Sequence, residues 1–522
     1  MRSIICAVDV GTGSARAGFF DAQGRMLARA EAPIDMRLPL PDFAEQNSEQ
    51  IWRAVCTAVR EARGLAKLAA DDIVAIAFDA TCSLVVRGAA GEQVSVAADG
   101  APGWDTIVWQ DHRAIAEADL CTATRHRVLD FAGGVMSPEM QMPKLMWLKR
   151  HAPQQWAKAG LIFDLADFLT FRATGQNARS RCTLTCKWNY LAHDAGWQDD
   201  FLQVIGLDDL AQRAGLPPQT AHEVGAALGR LCGQAADELG LARTCLVATS
   251  LIDAFAGCLG VIGGLPQPHR ETHLAMVAGT SGCVMGYTAD ANCIPGIWGP
   301  YHGATLPGVW QYEGGQSAAG ALLDHVVHVF GNMKPDAAVH ARIASRIAEM
   351  RRTATDPGEG VHILPDFSGN RSPHADPHLR GVISGLTLDR SFDGLCRIYW
   401  RACVALALGM RQILDHLIAH GRKVEMLHAA GGQMRNPMLL QLYADATGLA
   451  ICRPEAEDAV LLGTAMVAAC AAGLHCDLET ACRAMQSAGS ILEPDTAMRE
   501  RYDRDYRIFL KMQQHRRELA SI

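Results

Sequence analysis

The sequence contains no Gly-Lys dipeptide and no C-x-x-C pair, and the glycine pair near its start lacks the third glycine of a dinucleotide loop. Each gap excludes something. A Walker A loop needs Gly-Lys before Ser or Thr, so a P-loop is ruled out. The dinucleotide fingerprint needs G-x-G-x-x-G opening a helix, whereas Gly11 and Gly13 are followed by Arg16 and by a segment with strand character. The 17 cysteines are scattered, the nearest two being Cys182 and Cys186, and many (Cys6, Cys258, Cys403, Cys470) sit in apolar runs. That is a reduced, cytoplasmic pattern, neither a disulfide framework nor a zinc site. Basic charge is not in excess: 48 Lys and Arg face 56 Asp and Glu, for a net charge of −8. This disfavours nucleic acid or an anionic membrane as the main partner. The longest uncharged apolar run, Ala459–Leu474, is shorter than the roughly 20 residues a membrane span needs, and no signal peptide is expected before the opening strand. No low-complexity segment stands out. What remains is an ordinary globular composition, 49% hydrophobic and 20% charged, in 522 residues, too many for a single core.

The most informative stretch is Ile4–Phe20. An apolar run, Ile4–Val10, carries one acid, Asp9, then Gly11, Thr12, Gly13 and Ser14 lead into a second apolar run, Ala15–Phe20. Residues 15–32 show no helical period and read as two further strands joined at the turn-rich Asp21–Gly24. Backbone N–H groups in such a turn can converge on an anion, and glycine lets them approach it. A buried Asp9 calls for a metal ion or a hydrogen-bond network. The plain alternative is a hairpin in which Asp9 caps backbone amides.

Further along, Ser48 reads as the N-cap of a helix to Leu65, and Ile73–Phe78 as a strand ending in Asp79-Ala-Thr-Cys-Ser83. Trp104–Trp109 reads as a strand ending in Gln110-Asp111-His112-Arg113, and Cys245–Thr249 as a strand before a helix, Ser250–Gly260, that carries Asp253. The break Gly263-Gly-Leu-Pro-Gln-Pro268 places a boundary between an N-terminal domain, 1–266, and a C-terminal domain, 267–522. The opening pattern then recurs: strand Thr272–Ala278, turn Gly279-Thr-Ser-Gly282, strand Cys283–Tyr287. Two halves that open alike imply a duplicated fold with the ligand between the copies, and they favour the anion-binding reading of the first turn.

The residues resemble the FGGY carbohydrate kinases over the whole chain. The resemblance rests on Asp9-Val-Gly-Thr12, Gly279-Thr-Ser281, Ser250-Leu-Ile-Asp253-Ala-Phe-Ala-Gly257 and Gly431-Gly-Gln-Met-Arg-Asn436 with the helix after it. Within the family, Phe78–Ser83, Trp109–Arg113 and Asp366–Pro373 are most similar to the pentulose kinases, D-ribulokinases in particular. The resemblance implies an α/β fold of duplicated actin-like (ribonuclease H-like) ATPase domains with a cleft between them that closes over ATP and sugar. It implies D-ribulose as substrate, phosphorylated at its terminal hydroxyl, with Asp253 as general base and Mg2+ held by Asp9. Gly11, Thr12, Gly13, Ser14, Arg16, Gly279, Thr280 and Ser281 would meet the phosphates, and Gly431, Gly432 and Gln433 the adenosine. Ala80, Thr81, Ser83, Asp111, His112, Arg113, Lys187 and Glu313 would join Asp253 around the sugar. A homodimer is in keeping with the family.

Against each assignment stands a structural use. Asp253 could N-cap its helix, Arg16 could be a solvated strand residue, His112 a satisfied core histidine and Lys187 a loop lysine. For Trp109, Trp188 and Trp310, core packing is the expected use. The alternatives in substrate are L-ribulose, D-xylulose, or a polyol such as ribitol or erythritol. The alternative in class is a non-catalytic actin-like nucleotide-dependent regulator.

Overall fold

The computed structural model of the chain describes residues 3–216, 221–354, 356–486 and 488–522. Strand Ile4–Val10 is buried along its whole length, as a run of six apolar residues and one acid between two other strands must be. It pairs antiparallel with Ser14–Phe20, which pairs antiparallel with Met26–Pro33. On its other side it pairs parallel with Ile73–Ala80, which in turn pairs parallel with Leu246–Ala248 and with Leu251–Ile252. Helix Ser48–Ala66 covers this sheet with Ile51, Val55, Ala58, Val59 and Ala62. Its N-cap is Asn47, whose side chain accepts from the Glu49 and Gln50 amides. Ser48, expected as the cap, instead donates its hydroxyl to Asp105 at 2.6 Å. The expected strand Trp104–Trp109 pairs only at Thr106–Ile107.

The chain divides into two compact units, Met1–Glu271 with Met285–Glu313 and Pro454–Ala488, and Thr272–Val284 with Gly314–Arg453 and Gly489–Ile522. The first exchange follows closely on the Gly/Pro break, but the chain returns twice to the first unit, so the units are not two contiguous halves. The second return has a clear cause. Helix Ala459–Ala471 is apolar on all sides and packs on helix Asp253–Ile262 and on strands Ile4–Val10 and Ile73–Ala80. The helices approach closely because both carry glycine at the crossing: a Cβ on Gly463 would lie 1.9 Å from the Ala256 carbonyl oxygen.

The second unit repeats the strand order of the first. Strand His273–Ala278 lies between the strand that begins at Gly282 and Met426–Ala430, with which it runs parallel, and Ala450–Pro454 follows parallel to that. Helix Phe392–Ala419 has the length and apolarity of a membrane span, yet it packs against helices Gly320–Gly331, Ala337–Met350 and Pro437–Thr447 within this unit.

Candidate active site

Three acids stand at the carboxyl ends of neighbouring parallel strands of the first unit, the edge where open α/β sheets bind ligands. Asp9 is in register with Asp79, and Leu251-Ile252 run beside Asp79-Ala80, so Asp253 is the next residue out. Asp253 opens its helix as the first helical residue, three positions later than the sequence pattern implied. The flanking Ile252 holds the cap position, so the plain N-cap reading of Asp253 does not apply. Its Oδ1 accepts from the Ala254 amide at 2.7 Å.

Asp9 and Asp79 have no exposed surface. Arg16, directly opposite Asp9 on the next strand, donates through Nη2 to Asp9 Oδ2 and through Nη1 to Asp458 Oδ2 at 3.2 Å. Thr464 donates its hydroxyl to Asp79 Oδ2. The remaining oxygens, Asp9 Oδ1 and Asp79 Oδ1, are buried without a partner among the described residues. Burial, reinforced by Asp458 and Asp253, lifts Asp9 to about 7 against the pull of Arg16. Burial and then Asp9 push Asp79 up well above the carboxylate range. Burial also raises Asp253, while the Ala254 amide, Lys187 and Arg16 hold it back. A desolvated patch with more carboxylates than cations, two of whose oxygens lack donors, is the donor set a hard divalent cation takes. The residues present therefore fit Mg2+.

The first turn is tied internally. The Gly11 amide donates to the Ser14 carbonyl at 3.0 Å, and Gln46 holds the Thr12 carbonyl at 2.7 Å. Trp109 Nε1 donates to the Thr12 hydroxyl at 3.0 Å, which leaves the hydroxyl proton available to a ligand. In the second unit, the Gly279 amide donates to the Ser281 carbonyl, and the Gly279 and Thr280 carbonyls accept amides at the start of helix Gly320–Gly331. Gln433 Nε2 reaches the Gly279 carbonyl at 2.7 Å, tying the Gly431–Gln433 segment to this turn. Gly431 is required by its own backbone, at φ +91° with the Ala278 carbonyl 2.4 Å from where a Cβ would be. Gly13, Gly279 and Gly432 are not: none has a left-handed φ, and nothing lies within 4 Å of a Cβ at any of them. Open space before a glycine backbone is what the approach of a phosphate or base needs.

Among the residues expected around the sugar, Lys187 Nζ lies 3.4 Å from Glu313 Oε2 and 4.2 Å from the centroid of the Trp298 ring, with both charged side chains buried. Both act electrostatically on Asp253. Ala80 is buried, and the Thr81 and Ser83 hydroxyls lie 3.2 Å apart, Ser83 also accepting from the Trp109 amide. Asp111 and Arg113, expected around the sugar, are engaged with other groups of the protein. Asp111 accepts from the Ala44 amide and from Arg113, and Arg113 also donates to Glu45 at 2.9 Å and to the Val96 carbonyl, with no side-chain surface left exposed. These bonds brace the strand end. His112 between them is half-buried, its Nε2 4.0 Å from Glu139, and burial lowers its pKa. Trp188 is a core residue, and the Trp310 ring packs on His193 and His302.

The models of the FGGY family of carbohydrate kinases match residues 4–260 with the N-terminal domain and 274–472 with the C-terminal domain. The chain belongs to the FGGY carbohydrate kinase family. An FGGY carbohydrate kinase domain-containing protein of Xenopus laevis is 39% identical over 99% of this chain and 97% of its own length. A D-ribulokinase of Saccharomyces cerevisiae is 36% identical over 89% of this chain and 71% of its own. Among solved structures, a xyloylose kinase from Brucella ovis superposes with a TM-score of 0.79 over 99% of this chain and 100% of that one, at 23% identity. A gluconate kinase from Lactobacillus acidophilus does so with a TM-score of 0.80 over 99% and 98%, at 18% identity. The fold is therefore the duplicated actin-like one, and the chain is an ATP-dependent carbohydrate kinase.

Three residues beside Asp9 and Asp253 escaped the sequence reading, as did one structural lysine, Lys144. Asp79 carried the same signal as Asp9, a lone acid closing an apolar run. Asp458 and Thr464 had none, because their partners lie 442 and 385 residues away. Lys144 sits in an unremarkable helix, yet it is fully buried and donates to the carbonyls of Val108, Trp109 and Glu139 at 3.2, 3.2 and 3.3 Å.

Proposed function

We propose that the chain phosphorylates D-ribulose to D-ribulose 5-phosphate, with Asp253 as general base. The observation that carries the assignment of the base is its setting. Asp253 follows the parallel strand pair at the ligand-binding edge, opens a helix, and lies within the field of the buried Lys187–Glu313 pair. The D-ribulose assignment draws on the 36% identity to the yeast D-ribulokinase, against 28% to the bacterial ribulokinases.

Phosphoryl transfer asks a protein for positioning and charge neutralisation more than for covalent chemistry. Lys187 and Glu313 orient sugar hydroxyls from one side, and the Thr81 and Ser83 hydroxyls from another. Asp253 accepts the proton of the terminal hydroxyl as its oxygen bonds to the γ-phosphorus and the bond to ADP breaks in line. Burial makes Asp253 a stronger base than a solvated aspartate, while the Ala254 amide and Lys187 keep it ionisable. The turns at Gly11–Ser14 and Gly279–Ser281 hold the phosphates, Gly431–Gln433 the adenosine, and Arg16 adds a cation beside the first turn. Mg2+, when bound at Asp9, neutralises charge on the β- and γ-phosphate oxygens.

The test is ADP release over a panel of pentuloses and pentitols. D-Ribulose should give the highest kcat/KM, and Asp253→Asn should cost about three orders of magnitude in kcat. Near-normal turnover by that variant removes Asp253 as the base, and a better substrate in the panel removes D-ribulose.

A further inference from the structure

We propose that Asp79 is a second metal-binding carboxylate, paired with Asp9 and oriented by Thr464. This rests on the reading of a metal-dependent kinase given above. Asp9 and Asp79 occupy registered positions on adjacent parallel strands, so both side chains leave the sheet on the same side, about one strand spacing of 4.8 Å apart. Each is fully buried. Each has one oxygen committed, Asp9 Oδ2 to Arg16 and Asp79 Oδ2 to Thr464, and beyond the interaction of the two carboxyls with each other no described donor meets either Oδ1.

The charge tally is lopsided. Arg16 is shared between Asp9 and Asp458, Asp458 also pairs with Arg29 at 3.5 Å, and the partner of Asp79 is a neutral hydroxyl. No described Lys or Arg makes an ion pair with Asp79. Two adjacent desolvated carboxyls are held by a shared proton or by a cation, and a divalent cation that meets both oxygens displaces that proton. Mg2+ characteristically takes one or two carboxylates, retains water and fills its remaining positions from substrate phosphates. A pair of free oxygens at a strand edge next to a phosphate turn supplies that. Thr464 has a defined part in this. It lies on the helix locked to Asp253–Ile262 at the Gly260–Gly463 crossing, and its hydroxyl fixes which oxygen Asp79 presents.

The test uses the full chain with ADP and reads Mn2+ binding by the loss of the free-ion electron paramagnetic resonance signal, together with the rise in thermal midpoint on adding Mg2+. Asp79→Asn should weaken Mn2+ binding by about tenfold or more, as Asp9→Asn does, and should shrink the Mg2+-induced rise. D-Ribulose binding without nucleotide, read by tryptophan fluorescence, should stay unchanged. Thr464→Val should weaken Mn2+ binding by a few-fold and supplies the test if Asp79→Asn fails to fold. Mn2+ binding by Asp79→Asn equal to that of the unaltered protein, alongside a weakened Asp9→Asn, overturns the role of Asp79 and leaves the kinase reading standing. Loss of sugar binding in Asp79→Asn overturns it too. An unaltered protein that binds no Mn2+ with ADP present overturns the metal reading itself.

Discussion

Asp164 offers a measurable electrostatic test of how the first unit is built. It is fully buried, Gln141 Nε2 donates to its Oδ2 at 3.0 Å, and its Oδ1 has no partner among the described residues. Gln141 Nε2 also reaches the Cys82 carbonyl, so this acid lies beneath the loop that carries Thr81 and Ser83. Burial, aided by Asp167, lifts its pKa from 3.8 to about 8. An acid whose folded pKa is raised binds its proton more tightly in the folded state. Its contribution to stability is complete below the unfolded pKa near 4 and is lost as pH rises through about 8. Each pH unit in that window costs about 1.4 kcal/mol, so by pH 7 the folded state has given up about 4 kcal/mol to this one group. Asparagine keeps the acceptor for Gln141 and cannot ionise. Asp164→Asn should therefore gain stability on the unaltered protein by about 1.4 kcal/mol per unit between pH 5 and pH 7.5. Urea unfolding of both proteins by circular dichroism, at fixed ionic strength and several pH values, measures the difference. A difference that does not change with pH would refute the reasoning.

Three further outcomes follow from the geometry. Gly13→Ala should change stability by no more than about 0.5 kcal/mol yet raise the KM for ATP about tenfold, because the space in front of Gly13 is empty of protein; an unchanged KM means no phosphate approaches that backbone. Gly463→Ala should cost about 1–3 kcal/mol or more in thermal unfolding, since its Cβ meets the Ala256 carbonyl at 1.9 Å. Lys187→Met should destabilise by about 3–5 kcal/mol by removing one member of a buried ion pair, and Lys187→Met with Glu313→Gln should recover stability but not sugar turnover; recovery of both would assign the pair to packing alone.

The fold was largely readable because its signals are short-range. Ile4–Val10, the turn after it and the repeat at Thr272–Tyr287 each declare themselves within a dozen residues, and the strand order follows from their pairing. Asp9 was readable because an acid inside an apolar run is costly wherever the run is buried. Polar residues at strand ends are less readable. Asp111 and Arg113 look alike in sequence whether they face a sugar or Glu45, and Glu45 lies 68 residues before Arg113. Ser48 and Asn47 are both good caps, and the choice between them was made by Asp105, 57 residues beyond Ser48, which takes the serine hydroxyl. Asp458 and Thr464 carry no local signature, since what they do is set by strands at the other end of the chain.

That distribution follows from what a phosphoryl-transfer site must be. Asp9, Asp79 and Asp253 are adjacent because parallel strands in register end together, and each is raised chiefly by burial. Burial of acids works against folding, so the surroundings must hold them by other means. Those means come from far along the chain: Asp458 draws on Arg16, Thr464 fixes Asp79, and the Gly260–Gly463 crossing seats the helix that Asp253 opens. One helical segment, residues 458–471, thus touches the setting of all three acids. A local change in that segment therefore acts on Asp9, Asp79 and Asp253 together.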